Sequence, residues 1–342
     1  MYLALSLSLN LEFGYTGIPN FGKVLYVAAG AAIAGSFSGR FASWALGIQG
    51  DFLASNFQIV HDISIALQKN VGLSIILLML TLLVAAGMGG FLGFITTYPA
   101  IRLREDYLAM LLLGMAQFFQ IFLGNYPPLI NGSFGVLVPN PFGWAGQYSL
   151  TIDTVVLVIF AVVVYIYLER IARSPLGRTL KAIRDNEDAS KMVGKNDVKI
   201  RRNVLIIASI ISAVAGALWT IYLGDVSPGL YGRVLYTFWP WVMVIIGGTG
   251  NNFGVAIGVF AFVFGQKVLD LSRLYVQNFI PVDVNWIEYV VFGVLLIVIL
   301  YIRPEGIIRE KPTPTLRRSV LRKLVERRSR GSNSVATKKE EA

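Results

Sequence analysis

The chain has 342 residues, of which 55% are hydrophobic and only 15% charged, with a mean hydropathy of +0.63. A water-soluble domain carries roughly a quarter of its residues charged, so that class is excluded and the sequence reads as an all-α polytopic membrane protein. The absence of cysteine and the single histidine, His61, exclude disulfides, thiol chemistry, iron–sulfur clusters and metal sites built on several His or Cys ligands, so neither a metal nor a cofactor is expected. The net charge of +10 would suggest nucleic acid in a soluble protein; in a membrane protein it reads as a cytoplasmic excess of Lys and Arg, and no nucleic-acid partner is inferred.

In chain order, the apolar stretches predict helices near 1–13, 21–36, 73–96, 107–124, 151–169, 203–224, 236–247, 252–269 and 285–302, about 8–9 segments in all. The stretches 1–13 and 236–247 are too short at about 1.5 Å per residue to cross a hydrocarbon core of roughly 30 Å, so each is predicted as a half-helix or one arm of a re-entrant hairpin. Residues 170–202 hold ten basic side chains against four acidic ones, and 303–342 hold twelve against five. With Arg102 and Arg104 these segments contain 24 of the 30 basic residues, which places them in the cytoplasm. The connections 37–72, 125–150, 225–235 and 270–284 then face outward. Segment 125–150 carries no charge and four of the 13 prolines, the composition of an ordered external loop.

No G-x-x-x-x-G-K-[ST] sequence occurs, so the chain does not bind ATP through a P-loop. H-E-x-x-H and G-x-S-x-G are also missing, and an enzyme active site is not expected. Small residues recur at every fourth position in Gly250, Gly254 and Gly258, in Gly89 and Gly93, and in Ser212 and Gly216, a spacing suited to close helix packing in lipid. The run Gly247-Gly248-Thr249-Gly250-Asn251-Asn252 is in addition a candidate helix break facing a translocation path.

Ionisable residues in apolar stretches are costly in lipid and therefore informative. Glu12, at the end of the first half-helix, is the leading candidate for a pathway or gating residue. Asp153 and Glu288 read as charges at helix N-termini, and Trp239, Trp241 and Trp286 as membrane-interface aromatics.

Residues 173–195 carry the most local information. Ser174 is an N-cap and Pro175 a first helical residue, predicting a helix over 175–185 with Leu176, Leu180 and Ile183 on one face and Arg178, Lys181 and Arg184 on another. Asn186 caps a second short helix through Val193, which Gly194 stops. Two capped amphipathic helices between membrane spans make a docking surface; the simpler alternative is a basic loop lying on anionic lipid.

The stretches Leu9-Asn10-Leu11-Glu12-Phe13-Gly14-Tyr15-Thr16-Gly17, Pro19-Asn20-Phe21-Gly22, Leu103–Ala109, Asn131–Gly135, Ser174–Glu187 and Val244–Gly250 together resemble, in order over roughly residues 3–308, the permease subunits of branched-chain amino acid ABC importers. The resemblance implies import of a small amphipathic solute, with partners in two cytoplasmic ATP-binding subunits, a second related permease and an extracytoplasmic solute-binding protein. It further implies that the coupling loop for the ATPase comprises Arg173, Leu176, Gly177, Arg178, Leu180, Lys181, Ala182, Ile183, Arg184, Asp185, Glu187 and Gly194. The pathway is then expected along two helix breaks, at Asn10, Glu12, Gly14, Tyr15 and Gly17 and at Gly247, Gly248 and Gly250. Residues 1–308 are read as a permease domain of the cell (inner or plasma) membrane and 309–342 as a basic cytoplasmic tail, with a short amphipathic helix conceivable over Leu316, Val320, Leu321 and Leu324. The rival readings are a urea or short-chain amide permease, or a self-contained channel or secondary transporter.

Overall fold

Apolar runs fold as helices here; glycines follow the ends of the helices closing at Leu46, Leu223 and Gly247, and Ser174, Asn186 and Asn196 cap the helices starting at Pro175, Glu187 and Asp197. The structure is a computed structural model and describes residues 1–277 and 284–310. In chain order the α-helices are α1 (Tyr2–Leu9), α2 (Lys23–Leu46), α3 (Asn56–Lys69), α4 (Val71–Arg102), α5 (Glu105–Asn125), α6 (Pro127–Ile130), α7 (Ser149–Arg173), α8 (Pro175–Asp185), α9 (Glu187–Met192), α10 (Asp197–Leu223), α11 (Trp239–Gly247), α12 (Asn252–Gln277) and α13 (Val284–Ile302). α1 runs on into a π-helical turn over Asn10–Tyr15, and a second π turn, Val234–Phe238, leads into α11. Among the described residues, six helices are long and apolar enough to cross a membrane.

The centre of the bundle is α2 and α10, with 78% and 72% of their apolar spans buried, against 17–28% for the spans around them. Small residues make this possible: Gly30 rests on the Ala213 carbonyl and Gly216 on the Val27 carbonyl, positions where a Cβ would collide with backbone. Gly89 and Gly93 bring α4 against Ser209 in the same way. The close-packing role expected of the small-residue spacing is thus met, with dispersion between backbones replacing the hydrophobic drive that lipid does not supply. The outer helices turn Phe91, Met110, Phe118, Val158, Phe260 and Phe264 outward, an apolar surface suited to lipid.

Several expectations need correction. The helix expected near 21–36 runs on to Leu46 as α2, and the connection 37–72 holds α3, an amphipathic helix burying Ile59, Val60, Ile63 and Leu67. Trp239 and Trp241 are buried rather than at an interface. Trp241 stacks on Phe21 with ring centroids 4.4 Å apart and donates its indole N–H to the Asn20 carbonyl at 3.2 Å, while Trp239 packs on Phe262. The side chains of Trp286 and Glu288 lie outside the described residues, as does the amphipathic helix considered for the tail.

Segment 125–150 is ordered, as its composition suggested. It holds α6, two 3-10 turns and the strand β1 (Val136–Leu137), which pairs antiparallel with β2 (Asp225–Val226). This pairing joins the 125–150 and 225–235 connections at one end of the bundle. The carboxylate of Asp153 accepts a hydrogen bond from Asn140 Nδ2 at 3.1 Å, which fastens the loop to the start of α7.

Candidate functional site

Two helices stop short. Val234–Gly247 is 14 residues, about 21 Å at the α-helical rise, against a core of roughly 30 Å, and α1 with its π turn is comparable. Both end at the side of the bundle that also carries α8, leaving a shortfall that other segments fill.

The first break is organised by a buried ion pair. Lys23 Nζ lies 2.8 Å from Glu12 Oε2 and donates to Ser8 Oγ at 2.9 Å and Ser212 Oγ at 3.3 Å. Asn20 Nδ2 donates to the other carboxylate oxygen of Glu12 at 3.0 Å. A π turn frees backbone carbonyls and re-aims side chains, and here Glu12 lies wholly buried within the bundle. Glu12 is therefore placed at the break, as expected, but held by a cation. Lys23 was not among the sequence candidates, although a single lysine opening an apolar stretch eleven positions after a single glutamate was a usable signal.

The two breaks touch. Asn10 accepts from the Gly250 N–H at 2.8 Å and donates to Asn252 Oδ1 at 2.9 Å, and Asn252 Nδ2 donates to Glu169 Oε2 at 3.0 Å. A Cβ on Gly14 would lie 2.6 Å from the Gly250 nitrogen, so the approach requires glycine. Asn10, Gly14 and Gly250 are thus brought together, while Tyr15 and Gly17 face α8 and Gly247 packs on Gly254.

The second break is filled by residues 303–310. Ile307 and Ile308 donate their N–H groups to the carbonyls of Ile246 and Gly247 at 2.9 and 3.2 Å, and Asn251 Nδ2 donates to the Arg309 carbonyl at 3.1 Å. Gly248, at φ 107°, lies against the Ile308 carbonyl. Glu310 then reaches α8, with Lys181 Nζ 2.7 Å and Arg184 Nη2 3.0 Å from its two oxygens. Arg184 also donates to the Gly14 carbonyl. Burial works against the Arg184 charge, but the Glu310 and Asp185 carboxylates outweigh it and hold its pKa above the ordinary value. Nothing in the sequence marked Glu310.

The two short helices over 175–192 form as predicted. Ser174 accepts from the Leu176 N–H at 3.1 Å and Asn186 from the Ala189 N–H at 3.0 Å. Gly194, at φ 76°, ends the element. Arg173 pairs with Glu169 at 2.7 Å, and Glu187 with Lys191 and Arg201, each at 2.7 Å.

The apolar face, however, points inward. Leu180 and Ile183 are 0% and 1% exposed within this chain, and Gly177 abuts the Ala172 carbonyl of α7, so these residues pack α8 onto its own bundle. They are not free to insert into a partner; Leu176, 42% exposed, is the one apolar residue of that face still accessible. The outward surface is instead a groove of about 460 Å³ between α8 and α9, lined by Pro175, Arg178, Ala182, Asp185, Ala189 and Val193 among others, with Met192 and Val193 exposed at its rim. Among the described residues, no group of three or more His, Cys, Asp or Glu side chains could hold a metal ion.

Long apolar helices around a core of small residues, with two helices broken beside a polar node, define a multi-pass membrane protein of the discontinuous-helix type. The family model for the branched-chain amino acid transport system / permease component matches residues 1–300, and the chain belongs to that family of transport permeases. It is 35% identical over 326 residues to the probable branched-chain amino acid transport permease protein LivM of Methanocaldococcus jannaschii, covering 94% of each chain. It is 26% identical over 250 residues to the high-affinity branched-chain amino acid transport permease LivM of Escherichia coli, covering 66% of this chain and 56% of that one. A ribose import permease of Haemophilus influenzae is 31% identical over 127 residues, 34% of this chain and 38% of its own length. No solved structure matches.

Proposed function

We propose that this chain is a permease subunit of an ATP-driven ABC importer for branched-chain or other hydrophobic amino acids. Hydrolysis belongs to two separate cytoplasmic ATP-binding subunits, a second related permease completes the pathway, and an extracytoplasmic binding protein delivers the solute. The observation that carries this reading is the α8–α9 element, two capped helices with a groove on the outer side and, on the inner side, charged bonds to the first helix break and to the segment that fills the second. Such an element is suited to receive a partner's movement and pass it to the pathway.

The same reading sets orientation. Arg102 and Arg202 line one groove between the end of α4 and the start of α10, and α8 contacts Glu310, so the basic connections gather at one end, which the positive-inside rule assigns to the cytoplasm. The β1–β2 end then faces outward and offers the 125–150 and 225–235 connections to the binding protein. Substrate choice within the class, amino acid or short amide, rests mainly with that binding protein.

The test is reconstitution in liposomes. Uptake of leucine, isoleucine or valine should need ATP, the ATP-binding subunits and the binding protein together. Uphill, ATP-independent uptake by the single subunit would overturn the reading in favour of a secondary transporter.

A further inference from the structure

We propose that Glu310 and Arg184 form a latch through which displacement of α8 is passed to both helix breaks, making residues 303–310 a coupling strap. The proposal rests on the reading of α8–α9 as the ATPase docking surface and goes beyond it by naming how the signal leaves that surface.

Besides its neighbour Asp185, at 3.0 Å, Arg184 has two partners on different parts of the fold. One end of its guanidinium donates to the Gly14 carbonyl, at the last turn of the π segment that ends the first short helix. The other meets the Glu310 carboxylate at 3.0 Å. Lys181, one helical turn earlier on α8, repeats the arrangement: its ammonium is 2.7 Å from Glu310 and 5.5 Å from the centroid of the Tyr15 ring. Side chains at i and i+3 share a face of a helix, so a single face of α8 grips the end of one break and the strap that fills the other.

The strap does not depend on that grip for its place. Its backbone is bonded to α11 at Ile246 and Gly247 and to Asn251 beyond it, and the Gly250 backbone sits directly against the Glu310 carboxyl group. Charged bonds thus connect α8 to the strap, and backbone bonds connect the strap to the break. A movement of α8 either carries Gly14 and residues 305–310 with it or ruptures charge-assisted hydrogen bonds, which are the stronger kind. Because the backbone bonds remain when the carboxylate is removed, loss of Glu310 separates transmission from folding.

The experiment measures ATP hydrolysed per solute taken up by the complete complex in liposomes, with a mixture of leucine, isoleucine and valine as the probe and the ATP-binding subunits quantified in each preparation. The wild-type complex must first hydrolyse ATP in response to loaded binding protein; if it does not, the docking reading itself fails, and the latch with it. Given that response, Glu310→Ala should retain its ATP-binding subunits in wild-type proportion and consume roughly tenfold more ATP per solute, the size of an ordinary coupling free energy. Glu310→Gln, which can still accept from Arg184, should recover part of the ratio. Asp270→Ala is the control, since Asp270 forms an exposed ion pair with Lys267 on α12, outside both α8 and the strap, and it should behave as wild type. A wild-type ratio in Glu310→Ala would overturn the proposal. So would loss of the ATP-binding subunits with an unchanged ratio in the complexes that remain, which would make Glu310 a structural support only.

Discussion

Lys23 Nζ and Glu12 Oε2 stand 2.8 Å apart with both side chains wholly buried, between the π turn that ends the first short helix and the first residue of α2. Ion pairs this deep are weak evidence for stability, because the cost of removing both charges from water offsets their attraction, yet removing one partner strands the other. Glu12→Gln and Lys23→Met are therefore each expected to destabilise the protein by about 3–5 kcal/mol. The double variant should recover most of that loss. Thermal unfolding of all three in detergent checks this, and a double variant no better than the worse single one would exclude the pair as the energetic unit.

Much of this architecture was legible in the sequence because it is written in local signals. Ser174, Pro175, Asn186 and Gly194 set the limits of α8 and α9 through caps and stops that act within a few residues. The shortness of 1–13 and 236–247 likewise followed from counting residues against the thickness of a bilayer. What could not be read is long-range. Amphipathicity marked the face carrying Leu180 and Ile183 but not what covers it, and the bundle of the same chain covers it. Glu310 lies 126 positions from Arg184 in sequence, and no periodicity links them. Lys23 differs, because its proximity in sequence to Glu12 was a usable signal; only its bond to Ser212 of α10 is long-range.

Sidedness can be read chemically, since the chain contains no cysteine. Ser133 and Gln147 are exposed on the 125–150 connection, and Asp188 is exposed on α9 at the opposite end. Cysteine at Ser133 or Gln147 should react with impermeant thiol reagents from outside intact cells. Cysteine at Asp188 should react only after permeabilisation. The reverse pattern would invert the orientation and remove the docking reading with it.

Gly248 combines a φ of 107° with direct contact to the Ile308 carbonyl. A methyl group there meets both a disfavoured backbone conformation and the strap. Gly248→Ala should therefore cost about 1–3 kcal/mol, as strained positions of this kind do, and should loosen residues 305–310 from α11. Gly229→Ala is the contrast, because a Cβ at that position meets nothing within 4 Å. Hydrogen exchange at the Ile307 and Ile308 amides reports the effect, and unchanged protection in Gly248→Ala would show that the strap is held elsewhere.

The two faces of α8–α9 should separate folding from docking. Leu180 is fully buried against its own bundle, so Leu180→Asp loses at least the roughly 2–5 kcal/mol of a deleted core leucine and adds an unpaired buried charge. It should unfold at lower temperature whether or not any partner is present. Val193, 76% exposed beside the groove, has little packing to lose, and Val193→Asp should leave stability within about 0.5 kcal/mol of wild type. If the groove receives an ATP-binding subunit, the same change places a carboxylate where an apolar contact forms and should reduce co-purification of that subunit several-fold. Lys199→Asp, on the exposed start of α10, should reduce it much less. On the alternative in which α8–α9 lies on anionic lipid, the order reverses: loss of the lysine charge weakens attachment by about 1 kcal/mol, and Val193→Asp changes little. Measuring thermal stability and co-purification for the three variants decides between them, and a Val193→Asp protein that binds its ATP-binding subunit normally would move the docking surface away from this groove.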